Sequence, residues 1–193
     1  MVGGERATQT CWSRKLVVMH QESRLITSCI SLLEEGLRLL ERIDDQAYSK
    51  TSVISPRGSV GAHLRHCLDF YRSFLSGLES GRIDYNSRQR DSLIETDRRY
   101  AIHETRQLIA ELHETLPIFR IAPVLISIED DSGRESWCGS SVVRELEFLR
   151  SHTIHHYSLM AMLLRFEGIE PGEEFGVAPS TLRHWQEEAT CAQ

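Results

Sequence analysis

The run Ser151-His152-Thr153-Ile154-His155-His156 places three of the chain's nine histidines inside an otherwise apolar helical pattern, and it constrains the fold more than any other stretch. An α-helix turns about 100° per residue, so His152 and His156 project only ~40° apart, one turn above the other. Two imidazoles so placed can meet one cation, but a metal needs further ligands from another segment. The chain must therefore bring a second ligand-bearing element against this helix face. The other histidine pair at helical spacing is His63 and His66, in Gly61-Ala62-His63-Leu64-Arg65-His66-Cys67-Leu68-Asp69, far upstream. One distant histidine joining an i, i+4 pair makes a three-nitrogen site with an open position, suited to zinc or another borderline divalent metal. Histidines at this spacing also occur as packed or solvated imidazoles, and it is the second cluster that favours a metal.

The apolar positions assign the rest. Leu25, Ile26, Cys29, Leu32, Leu33, Leu37, Leu40 and Ile43 recur in steps of three and four, which predicts a long amphipathic helix from about Gln21 to Asp44 and Asp45. Residues 1–20 lack that periodicity and read as an N-terminal extension, for which disorder is an option, ahead of a single domain over 21–193. Ser59 is placed to cap a second helix through Leu78, which puts His63 and His66 in its opening turns. Arg82 to Glu95 reads as a long loop, and Thr96 or Asp97 as the cap of a third helix that Pro117 should end. The period then changes to that of a small β-hairpin, Ile121 to Ile128 and Arg134 to Cys138. Ser140 or Ser141 caps a fourth helix continuing to about Glu167, and a short helix from Ser180 to Glu188 follows. The fold class expected is all-α, a four-helix bundle with a crossover connection and a β-hairpin before the last long helix.

Composition narrows the function. At 193 residues with 40% hydrophobic and 26% charged content, one core is the expectation. A net charge of −6 without clustered lysine argues against nucleic acid or an anionic membrane as partner. No apolar run approaches the ~20 residues that span a bilayer, and a secretory signal pattern is missing, so the expected location is cytoplasmic. Five cysteines without CxxC spacing indicate neither a disulfide framework nor a thiolate zinc site. A di-iron carboxylate bundle needs Glu-x-x-His, which no histidine here satisfies. HExxH is also absent, since His103-Glu104 leads to Gln107 and His113-Glu114 to Pro117.

In Ser59 to Asp69 and in His152-Thr153-Ile154-His155-His156, the chain resembles the DinB-like (YfiT-like) superfamily of metal-dependent four-helix bundles, over roughly Gln21 to Glu167. The resemblance implies that His66, His152 and His156 bind one divalent metal, zinc or nickel in a purified sample. His63, one turn before His66, is then an outer partner or rival ligand. Asp69 could accept an imidazole N–H, and its alternative is a helix-surface aspartate. His155, ~60° from His152 on the side away from His156, is a packing or outer residue rather than a ligand. Ile83 to Arg90 and Phe175 to Leu182 look like features of one subgroup of the superfamily.

Arg88 and Arg90 could hold a substrate carboxylate or phosphate, against the alternative of a solvated charged loop. Tyr85 and Tyr157 are candidate proton donors, and Glu145, two turns before His152, is a candidate base. The resemblance implies a hydrolase or a low-molecular-weight-thiol transferase acting on a small-molecule substrate. The alternative is a non-catalytic bundle with a structural, sensing or stress-related interaction role. Helix faces of such bundles often pair, so a homodimer is expected.

Overall fold

The computed structural model describes residues 5–53, 55, 58–119, 122–130 and 132–191, with the side chains of 5–22, 119 and 191 left out. The chain is mostly helical with a small three-stranded sheet. Its elements are α1 (Glu5–Arg42), α2 (Asp45–Ser49), α3 (Val60–Leu78), β1 (Arg82–Ile83), α4 (Ser92–Thr96), α5 (Arg98–Phe119), β2 (Pro123–Glu129), β3 (Glu135–Ser141), α6 (Val142–Phe166) and α7 (Pro179–Cys191). The side chains of the extension expected over 1–20 lie outside the described residues. The backbone of α1 is already helical from Glu5, well before the expected start at Gln21.

Helix α1 packs on α5 and α6, and α3 packs on the same two helices. The core between them is aliphatic and aromatic, with Leu33, Leu40, Leu64, Leu68, Phe74, Leu112, Leu146 and Tyr157 fully buried. Burying such a side chain contributes roughly 1.5–3 kcal/mol, which is the main reason these amphipathic segments hold together. Two caps set the entry of the helices that carry the histidines. Ser59 Oγ accepts from Ala62 N at 3.0 Å at the start of α3, and Ser141 Oγ accepts from Arg144 N at 3.3 Å at the start of α6. Helix α6 stops at Gly168, whose φ of +76° lies in the left-handed region where a side chain would be strained.

Three expectations need correction. The hairpin is real, with Ile126 opposite Cys138 and Glu129 opposite Glu135, but β1 joins it in parallel through Arg82 with Leu125 and Ile83 with Ile126. The expected hairpin is therefore part of a three-stranded sheet, and the segment expected to be a long loop supplies both its third strand and α4. A two-residue strand is too short for periodicity to reveal. Close approach to α3 is what admits it: a Cβ on Gly77 would stand 2.4 Å from the Arg82 carbonyl oxygen. Pro117 does not stop α5, which continues to Phe119. In the last turn a proline removes a single backbone bond, and the helix tolerates it there.

Asp97 is the residue that caps α5, its Oδ1 accepting from Arg99 N at 2.9 Å and Tyr100 N at 3.0 Å. Strand β3 runs straight into α6 through Ser141, so the sheet fixes where α6 begins and hence the height of its histidines.

Candidate metal centre

His66 enters from α3, and His152 and His156 from the middle of α6. One nitrogen of each lies within 4.8 Å of the others. Their ring centroids are 5.0 Å (His66 to His152), 4.6 Å (His66 to His156) and 4.5 Å (His152 to His156) apart. Small side-chain rotations close such a set onto metal–nitrogen bonds of about 2.0–2.1 Å. His152 Nε2 is buried and has no hydrogen-bond partner. A buried polar atom left so costs about 1–3 kcal/mol, a penalty that coordination removes. The donor set thus fits a divalent metal of borderline softness.

Burial is the main force on the charge state of the three rings. It pushes His66 and His152 down to about 4 and His156 down to about 3, with the neighbouring imidazoles and, for His66 and His152, Arg88 adding to it. All three are neutral at pH 7 and present lone pairs. Because the folded values lie below the ordinary histidine value of about 6.5, the unfolded chain takes up protons first as pH falls. The metal-free protein is therefore expected to keep its full stability above pH 6.5 and to lose it progressively towards pH 4. Thermal melts of apoprotein at pH 7.5 and 5 check this: the melting temperature should drop, and drop less in His156→Gln.

His63 sits beside the trio rather than in it. Its Nδ1 is 2.9 Å from Nδ1 of His156, with the ring centroids 5.2 Å apart. Were His156 to offer Nε2 to a metal, its Nδ1 would carry the proton and donate to His63, which would orient the ring. His63 is neutral in this role, held below its ordinary value by burial. His155 is exposed and packs edge-on against His156 at 5.3 Å between centroids.

Asp69 does not serve an imidazole. It is buried and accepts from Arg65 Nη1 at 2.8 Å, while Arg65 Nε donates to Glu95 at 2.9 Å. An arginine one turn away outcompetes a neutral imidazole for a buried carboxylate, because the ion pair compensates the charge that burial penalises. Burial still raises the Asp69 carboxyl above its usual range, with Arg65 opposing.

The flank towards the sheet is aromatic. Phe70 lies 4.9 Å from His66 and 4.5 Å from His152, and it stacks on Tyr85 at 5.2 Å. Phe148 stacks on His152 at 5.4 Å. Neither phenylalanine was singled out from sequence, although Phe70 stands four residues after His66 and Phe148 four before His152, the spacing of one helix face.

Arg88 lies over the Phe70 ring, its guanidinium carbon 4.3 Å from the centroid. Arg90 is exposed, with a φ of +53°, and is not brought to the histidines. Tyr85 is buried and donates to Glu145 Oε2 at 3.0 Å, while Ser140 donates to the other oxygen. Glu145 is thereby committed to holding Tyr85 and is not a free base. Tyr157 faces the other way: it stacks on Phe175 at 4.8 Å, and a Cβ on Gly36 of α1 would fall 2.1 Å from its hydroxyl oxygen. It has no part at the histidines. Burial pushes the Cys67 thiol far up and Cys29 up to about 12, so neither is a thiolate nucleophile at neutral pH.

Among the described residues no helix is long and apolar enough to cross a membrane. No family model matches the chain. It is similar to a protein named FK506-binding protein 5 from Rhizopus delemar (strain RA 99-880 / ATCC MYA-4621 / FGSC 9543 / NRRL 43880), 29% identical over 163 residues that cover 82% of this chain and 37% of that one. The chain thus spans just over a third of the length of this curated relative. What the site offers is three neutral imidazoles from two helices, converging beside an aromatic wall.

Proposed function

We propose that this chain is a DinB-like four-helix bundle, cytoplasmic, that holds one divalent metal, zinc or nickel, on His66, His152 and His156 and acts as a metal-dependent hydrolase or low-molecular-weight-thiol transferase on a small molecule. The observation that carries this reading is the convergence of the three imidazoles around a buried His152 Nε2 that lacks any partner. The bundle reading is supported by the way α1 and α3 each pack on both α5 and α6. An open site, as a catalyst needs, is supported by the ligand count. Structural zinc normally takes four protein ligands, and the nearest fourth nitrogen, on His63, is engaged with His156.

Bound there, a divalent ion supplies Lewis acidity, which at neutral pH favours the deprotonated form of a water or a thiol. The protein's own part is positional. His63 orients His156, Glu145 and Ser140 hold Tyr85, and Phe70 and Phe148 shield one side of the imidazoles from water.

Elemental analysis of untagged protein should find about one divalent metal per chain. Hydrolysis or thiol transfer detected in substrate screens should vanish on chelation and return with zinc or nickel. Protein that binds no metal from either solution would overturn the reading.

A further inference from the structure

Arg88 stands beside the candidate centre, its guanidinium over the Phe70 ring. It appears in none of the ion pairs of the described residues. One of its terminal nitrogens donates to the Tyr85 carbonyl, and its Nε is buried without a partner. The neighbouring carboxylates make their short contacts with other groups. Asp69 is paired with Arg65 at 2.8 Å, Asp84 accepts from Ser87 Oγ at 2.6 Å and Asn86 N at 2.8 Å, and Glu145 is held by Tyr85 and Ser140.

Phe70 is a wall shared by the guanidinium and the histidines, with Arg88 at 4.3 Å and the rings of His152 and His66 at 4.5 and 4.9 Å from its centroid. Three neutral imidazoles do not offset a dication, so a loaded centre would set its positive charge near an arginine that forms no ion pair and has a donor to spare. Such a place is complementary to an anion.

We propose that Arg88 is the anion-binding residue of this centre, so that the site takes a small molecule with a carboxylate placed beside its metal-binding group. This rests on the metal reading above. A planar guanidinium anchored on an aromatic face suits a carboxylate better than a lysine would, because it can offer two parallel donors. Arg90, exposed on the same segment, takes no share.

The test uses the full chain loaded with Co²⁺, titrated with mercaptoacetate and with 2-mercaptoethanol. These probes carry the same sulfur donor and differ by a carboxylate. Binding is read from the thiolate-to-cobalt absorption. The wild type should bind mercaptoacetate about tenfold or more tightly than the neutral thiol, the size of a charge-assisted pair. Arg88→Ala should lose that preference with its cobalt bands unchanged before thiol is added, which shows that the fold and the metal site persist. Arg88→Lys should keep part of it, and Arg90→Ala all of it. Cobalt bands with equal affinity for the two thiols, a preference surviving in Arg88→Ala, or no response to either thiol would each overturn the role of Arg88 and leave the metal site standing. Absence of cobalt bands in the wild type would overturn both.

Discussion

His156→Ala should lose stoichiometric metal, while His63→Ala should keep it with an affinity weakened by about ten- to a hundredfold. The difference follows from where the two rings stand. His156 belongs to the trio whose nitrogens lie within 4.8 Å of one another, and His63 touches that trio only through His156. Structural zinc sites bind with roughly 10–16 kcal/mol shared by four ligands, so one ligand accounts for about 3 kcal/mol, more than a hundredfold in affinity. An outer partner that fixes a ligand ring's tautomer and orientation is worth about ten- to a hundredfold. His66→Ala and His152→Ala should follow His156→Ala. Competition titration against a chelator of known affinity separates the two classes. Equal affinities for His156→Ala and His63→Ala would remove the distinction between ligand and orienting partner.

Gly176→Ala should destabilise the protein by about 3 kcal/mol or more. Gly176 has a φ of +73°, a region that costs an L-residue roughly 1–2 kcal/mol. An added Cβ would also stand 2.5 Å from Ser158 N and 2.5 Å from the Tyr157 carbonyl carbon. Those atoms are backbone of α6 and cannot rotate away, and overpacking of this kind costs about 1–3 kcal/mol. The segment is fastened there by Ser158 Oγ, which donates to the Gly176 carbonyl, and by the Phe175 ring on Tyr157. The melting temperature should therefore fall by several degrees. Unchanged stability would mean that the tail is not anchored on α6 as described.

How much of this could be read without coordinates varies by residue. The caps Ser59 and Ser141 and the long helices after them are local matters, because hydrogen bonding to the first free N–H groups and a three-to-four apolar step act within a few residues. His152 and His156 were legible for the same reason, since helical geometry alone puts them on one face. Strand β1 and the passage of α5 through Pro117 were not, because each depends on what lies alongside the segment. For β1 that neighbour is the strand it pairs with and the bare Gly77 beneath it.

Side-chain roles divide in the same way. The sequence by itself determined that this chain is built from long amphipathic helices, and that one of them carries a pair of imidazoles spaced for a shared ligand. Only the tertiary structure decided that His66 rather than His63 faces that pair, that Asp69 is taken by Arg65, and that Tyr85 is tied to Glu145 while Tyr157 points into the opposite core. Helical periodicity sets the direction in which a side chain leaves its own axis. Which partner it meets is set by how two axes pack, and that is settled by burial across residues far apart in the chain.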